Sequence, residues 1–251
     1  MDLKEEHILG STAASHWYYL SKGRALRAML GTIRAPEVLD VGAGSGVFPR
    51  QLLDAGICHR AVCVDPEYVE ERTELHNGRE IAFVRSVERV PQRLVLMMDV
   101  LEHVDDDVGV LRSYAQRMPA GGWLVITVPA FQFMWSGHDI YLEHRRRYSR
   151  SDLENVVRTA GLEVVRSRYF FGFLFPAAVA MRLRNRRRLE SGKIEAESAL
   201  KSYPDFVNRL LTLIHDAERA TLFRFNRFAG LSVFCLARRH SGRAVAMART
   251  E

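Results

Sequence analysis

Apolar and polar positions along the chain fall into two alternating kinds of block. Short apolar runs of about four to eight residues suit buried strands, and longer amphipathic stretches carry the 3.6-residue repeat of helices. The first long stretch, roughly 16–33, sets Trp17, Leu20, Arg24 and Arg27 on one stripe and Leu26, Met29 and Leu30 on another. Pro36 breaks it, and EVLDVG (37–42) reads as a buried strand entering a glycine turn. A helix is expected over 47–55, a strand ending at Asp65, a helix over 67–76 and a strand in IAFVR (81–85). RLVLMMD (93–99) is apolar enough for a central parallel strand covered on both faces. The helix over 105–118 is stopped by Pro119 and Gly121-Gly122, and WLVITVP (123–129) is the next buried strand. Ser149 or Ser151 can cap a helix ending near Gly161, before strands in LEVVRSRYF (162–170) and GLSVFCLARR (230–239).

Strands alternating with helices mean βαβ units and an α/β fold with a doubly wound, mostly parallel sheet. The expected layout is one domain over 1–251. It comprises a helical cover (1–35), a ligand-binding core (36–170), a helical insertion (171–229), the last strand (230–239) and a flexible tail (240–251). With 47% hydrophobic and 26% charged residues, 251 residues suffice for such a core and exclude disorder or a small disulfide scaffold. The longest suspicious charge-free run, Tyr169 to Met181, has 13 residues, short of the roughly 20 that a membrane span needs. The polar, acidic start does not read as a secretory signal, and three cysteines without metal spacing suit a reducing cytoplasm. The net charge of +6 is split: 14 Lys+Arg against 19 Asp+Glu up to residue 142, then 22 against 11. An anionic partner is therefore expected for the second half: phosphate, nucleic acid or a membrane surface.

The strongest motif is VLDVGAGSG (38–46), a glycine turn after the first strand that brings a ligand against bare backbone at a helix start. A dinucleotide fingerprint would need glycine at position 47, which is Val47, so a nicotinamide oxidoreductase is disfavoured. The G-x-G-x-G pattern preceded by Asp40 resembles motif I of the class I S-adenosylmethionine-dependent methyltransferases. More narrowly, the chain resembles their small-molecule, ubiquinone-type group. This resemblance implies a seven-stranded Rossmann-like sheet and S-adenosylmethionine as cofactor. It places Asp40, Gly42, Ala43, Gly44 and Gly46 around the methionine part, with Asp65 and Pro66 at the ribose; Asp40 serves equally as a support for the loop. MMDVLEHVDDD (97–107) resembles the family's D-x-L-E-H-V segment, so Asp99 and Val100 border the methyl donor. His16-Trp17-Tyr18-Tyr19 resembles the aromatic cover helix, with Tyr18 on the cofactor. Where relatives carry an Asp for the adenine amino group, this chain has Ser86, so Ser86 and Val87 are expected at the adenine edge. The resemblance covers about 15–169 and the final strand.

Methyl transfer from a sulfonium needs alignment, and a base only where the acceptor must lose a proton. His103 is one candidate base, with a local structural role as its rival. Asp99, Glu102 and His103 also have the D-x-x-E-H spacing that resembles metal ligands of ubiquinone-type and small-RNA 2′-O-methyltransferases, but L-E-H-V also occurs without a metal, and no metal is expected. The run Asp105–Asp107 reads as a helix N-terminus. In SGHDIYLEHRRRYSRSDL (136–153), His138 and His144 are alternative bases, and Asp139, Arg145, Arg146 and Tyr148 are expected to bind substrate. Arginine forks suit phosphate or carboxylate. A solvated basic turn is the plainer reading of the same loop.

The insertion joins YFFGFLFPAAVAM to an arginine run and carries an amphipathic helix with Phe206, Leu210, Ile214, Ala217 and Thr221 on one stripe. It is expected to be a lid, a peripheral membrane contact through 169–228, or a dimer interface. The function expected is transfer of a methyl group to an oxygen, or less favourably a nitrogen, of a small-molecule or lipid-linked acceptor bearing an anionic group. The setting expected is the cytoplasm or the inner face of the membrane. An RNA 2′-O-methyltransferase and a non-catalytic cofactor-binding partner protein are the rival readings. Nucleic acid is disfavoured because the fourth strand lacks the D/N-P-P-Y ending used on flipped bases.

Overall fold

A computed structural model describes residues 10–190, Ser198 and 201–240; the calls on the first residues and on the tail beyond His240 lie outside them. The strands are β1 (Glu37–Val41), β2 (Arg60–Val64), β3 (Arg72–His76), β4 (Arg79–Val84), β5 (Leu94–Met98), β6 (Trp123–Pro129), β7 (Leu162–Phe170) and β8 (Ser232–Arg239). They form one eight-stranded sheet in the order β3-β4-β2-β1-β5-β6-β8-β7. The pairs joining β4, β2, β1, β5 and β6 are parallel, whereas β8 runs antiparallel between β6 and β7.

The helix expected over 67–76 does not form. Arg72–His76 is instead a strand antiparallel to β4, with His76 opposite Arg79. The cause is the Asn77-Gly78 pair, whose φ angles of 51° and 75° suit a tight two-residue hairpin turn. This edge strand makes the sheet eight-stranded where seven strands were expected.

The remaining elements are helices α1 (Trp17–Leu30), α2 (Val47–Asp54), α3 (Asp107–Arg117), α4 (Gly137–Tyr141), α5 (Arg150–Thr159), α6 (Phe175–Glu190) and α7 (Asp205–Thr221). All five residues of β5 are buried, and successive side chains serve opposite faces. Leu94, Leu96 and Met98 join the core beneath α1 and α2, while Val95 and Met97 join the core beneath α3 and α5. Ser149 caps α5 in a reciprocal box with Asp152, and Asp106 caps α3 by accepting from Gly109 N at 2.8 Å.

The insertion is held to the cover helix. Trp17 N donates to Asn208 Oδ1 at 3.1 Å, His16 Nε2 lies 3.1 Å from Lys201 O, and Arg24 pairs with Asp216. The expected apolar stripe of α7 does not face inward: Phe206 and Leu210 are 71% and 56% exposed, and Ala217 and Thr221 are exposed too. Its buried side is polar, carrying Thr212, His215 and Glu218. The Glu218 carboxylate accepts from Gly172 N (2.6 Å), Phe173 N (3.3 Å) and His215 Nδ1 (3.0 Å), so every polar atom it meets is used. Glu218→Ala leaves the buried His215 and the half-buried Gly172 N–H unpaired, which costs about 1–3 kcal/mol. Thermal unfolding should show a melting temperature lower by roughly 2–12 °C, since 1 kcal/mol moves a domain of this size by about 2–4 °C.

Candidate active site

The glycine turn follows β1 at the carboxyl edge of the parallel strands, where open α/β sheets bind ligands. Gly42, Gly44 and Gly46 have φ of 66°, 50° and 71°, in the left-handed region that glycine enters freely. At Gly42 a Cβ would also lie 2.7 Å from Val100 Cγ2, so the turn and the segment after β5 meet over bare backbone. Asp65, just past β2, braces the turn: its Oδ2 accepts from Gly44 N and its Oδ1 from Glu67 N, both at 3.0 Å. Tyr68 Oη donates to Gly44 O at 2.6 Å. Asp65 thus has a structural role in the turn beside the ribose role expected of it, and each of its oxygens keeps a lone pair. Pro66 and Ser86 are exposed beside it and Val87 is half-buried, at the edge where β2 and β4 end in register.

Asp40 is 1% exposed, and neither carboxylate oxygen has a hydrogen-bond partner among the described residues. Burial, with the neighbouring Asp65 carboxylate adding to it, pushes its pKa up to about 7. An orphaned buried carboxylate below a turn built on three glycines is a poor structural support and a fitting partner for a ligand ammonium. The residues present therefore fit S-adenosylmethionine: Asp40 would hold its amino group and the glycines would flank its methionine part.

Beyond β5 the backbone turns at Asp99, with φ of 58°. Asp99 Oδ1 accepts from Thr127 Oγ1 at 3.0 Å, and its other oxygen pairs with Lys22. Lys22 is fully buried on α1 and also donates to Tyr18 Oη at 3.0 Å. Burial alone would lower the Lys22 pKa, but Asp99 and Tyr18 outweigh it and hold the ammonium above its ordinary range. Asp99 is correspondingly held below its own, despite burial. Lys22 was not expected in the site; a lysine one turn after Tyr18, on the same side of the cover helix, was the available signal.

Tyr18 and Asp99 border a cavity of about 460 Å³. Its walls are largely apolar, including Trp17, Met134, Leu142, Phe171, Leu174 and Met181, and its polar end gathers Glu102, His103, His138, His144, Arg147 and Arg182. The three histidines named from the sequence are thus brought together. The His144 ring centroid lies 4.7 Å from that of His103 and 6.2 Å from that of His138. Burial first, then Arg147 and Arg182 among its neighbours, lowers His138 to about 4, which leaves it neutral at physiological pH.

Asp139 is not at the cavity surface. It is fully buried and accepts from Ser136 N and Oγ, His144 Nδ1 (2.9 Å) and both Nε and Nη2 of Arg147 (2.6 and 2.9 Å). Burial alone would raise its pKa, but these bonds hold the carboxyl well below the usual range. An ionised carboxylate only accepts, so His144 Nδ1 must carry the hydrogen and Nε2 is left as an acceptor. Asp139 orients, rather than contacts, whatever occupies the cavity. The loop's other candidates are likewise displaced. Arg145 and Arg146 turn to the acidic run, pairing with Asp105 and Asp107, and do not line the cavity. Tyr148 is buried, donating to Leu101 O and Asp107 Oδ2 at 3.0 and 2.8 Å. Of the arginine run, Arg147 alone reaches the cavity wall.

Glu102, His103 and His144 offer ligand atoms within 4.8 Å of one another. Neither Glu102 oxygen has a hydrogen-bond partner from another described residue, and burial, then Asp99, holds its carboxyl well above the ordinary range. A cation-ligating histidine that passes its other N–H to a carboxylate is a common arrangement, and His144 with Asp139 has it. These three residues fit a divalent cation better than the Asp99, Glu102 and His103 set read from the spacing, because Asp99 is occupied by Lys22.

Comparison with known proteins identifies the family. A family model described as a methyltransferase domain matches residues 15–167. The chain belongs to this methyltransferase domain family, of the S-adenosylmethionine-dependent class. It is similar to the ubiquinone biosynthesis O-methyltransferase of Nitrosospira multiformis, 25% identical over 150 residues that span 51% of this chain and 63% of that protein. Its fold is similar to that of a protein assigned as a methyltransferase, solved with the Haloferax volcanii Trm112 methyltransferase activator (17% identity, TM-score 0.55, 93% of each chain). It is also similar in fold to Haemonchus contortus phosphoethanolamine N-methyltransferase 2, solved with S-adenosyl-L-methionine (16% identity, TM-score 0.52, 87% of this chain and 52% of that one).

Proposed function

We propose that this chain transfers the methyl group of S-adenosylmethionine to a hydroxyl oxygen of an amphiphilic acceptor, a small molecule or a lipid-linked one, that carries an anionic group. The observation behind this reading is the Asp139–His144 pair at the polar end of an apolar cavity whose rim holds Tyr18 and Asp99. When bound, the cofactor supplies an already activated methyl group. The chain aligns the acceptor with it, excludes water with the apolar walls, and takes the hydroxyl proton on His144 Nε2, while Asp139 fixes the ring and stabilises the imidazolium. A divalent cation held by Glu102, His103 and His144 would supply Lewis-acid polarisation of the acceptor oxygen. Chelator treatment separates the two uses of His144: turnover that survives supports proton transfer, and loss restored by added cation supports ligation.

The function is tested with methyl-labelled donor and a lysate split into lipid, small-molecule and RNA pools. Label on an amphiphile in the lipid or small-molecule pool supports the reading, and label confined to RNA overturns it. A peripheral membrane contact accords with the exposed Phe206, Leu210, Leu213 and Phe228 on and after α7, set among exposed Arg209, Arg224 and Arg227. Among the described residues no helix is long and apolar enough to cross a membrane. Flotation with anionic phosphatidylglycerol vesicles should carry the wild type, and the double variant Phe206→Ser, Leu210→Ser should stay behind. Equal flotation of both would remove the stripe from the account.

A further inference from the structure

Helix α6 of the insertion brings Arg182 into the cavity, where its Nε is buried and has no hydrogen-bond partner among the described residues. The other cations lining or supporting the cavity, Lys22 and Arg147, are paired. Lys22 is paired with Asp99, and Arg147 is gripped by both oxygens of Asp139 and also donates to Ala130 O at 3.2 Å. Arg182 is therefore the cation of this largely apolar enclosure that has no ion-pair partner among the described residues. Burial, then repulsion from Arg147, lowers its pKa, so the guanidinium is placed against its own preference. A half-buried guanidinium among apolar walls, with a buried donor left unpaired, is a fitting site for an anion. The neighbouring walls on and just before α6 are Leu174, Ala177, Ala178 and Met181, which offer apolar contacts.

We propose that Arg182 binds an oxyanion of the acceptor, a phosphate or carboxylate, and that the acceptor's hydrocarbon part lies along the apolar wall of α6. The guanidinium fork suits either group. This assignment rests on the reading of the cavity as the acceptor site. It gives the insertion a recognition role that the Arg145–Arg147 loop was expected to hold.

Calorimetry on the full chain saturated with S-adenosylhomocysteine tests it, with octyl phosphate, octanoate and octanol as probes. The wild type should bind one of the two anions at least tenfold more tightly than octanol, and the better anion tells phosphate from carboxylate. Arg182→Gln should lose that advantage while keeping its affinity for octanol and for S-adenosylhomocysteine; Arg182→Lys should keep part of it. The proposal is overturned if the wild type shows no preference for the anions, or if Arg182→Gln retains it. It is also overturned if Arg182→Gln weakens S-adenosylhomocysteine by the same factor, because the anion bound would then be the cofactor's own carboxylate. A wild-type chain that binds no S-adenosylhomocysteine overturns the functional reading itself, a result distinct from all of these.

Discussion

Gly42→Val should abolish S-adenosylhomocysteine binding, with affinity falling by two orders of magnitude or more. Two effects add. A residue with a side chain at φ 66° costs roughly 1–2 kcal/mol of backbone strain. Its Cβ would meet Val100 Cγ2 at 2.7 Å, so either the turn or the segment bordering the methyl donor must move. Because the variant also weakens the fold, Asp40→Asn is the cleaner companion. It keeps the shape, removes the orphaned carboxylate and should lower S-adenosylhomocysteine affinity without lowering the melting temperature. Asp40 also makes a signed prediction about pH. Its pKa rises on folding from 3.8 to about 7, so the folded state holds the proton more firmly. The stability this contributes is complete below pH 3.8 and is lost as pH rises through about 7. Unfolding of the cofactor-free chain between these limits should show the decline, and Asp40→Asn should flatten it.

His144→Gln should lower kcat by about two to four orders of magnitude, the usual worth of a positioned proton acceptor, and leave cofactor affinity unchanged. Asp139→Asn should act in the same direction by a different route. An Asn at that position can offer its amide N–H to the ring, which favours the wrong tautomer, and it gives Arg147 a weaker partner. Steady-state kinetics beside S-adenosylhomocysteine calorimetry checks both variants. A fall in cofactor affinity equal to the fall in kcat would move His144 out of the chemistry and into the binding site.

Much of the cofactor half was legible because its physics is local. A glycine turn after an apolar strand, and acids at strand ends, keep their meaning within a few residues. The hairpin at Asn77-Gly78 was equally local, but the preceding polar residues gave no strand alternation strong enough to displace a helix. The acceptor half was less legible because its residues meet only through the tertiary fold. Arg182 and Met181 come from an insertion helix, Lys22 from the cover helix and His144 from a loop after β6, and no spacing links them. The arginine run misled for the same reason: three consecutive side chains leave the backbone in different directions, and only Arg147 reaches the wall. The amphipathic pattern of α7 did not tell which side is buried, because the buried side is polar: Glu218 satisfies two backbone N–H groups and His215 from it.

The most direct measurement of the central claim is the position of the transferred methyl group. The chain is incubated with an isotopically labelled methyl donor and the lipid and small-molecule pools, and the product is examined by NMR and mass spectrometry. The account predicts an O-methyl group on an amphiphile that carries a phosphate or carboxylate, formed by the wild type and lost in His144→Gln. An N-methyl product, or label found only in RNA, would contradict it.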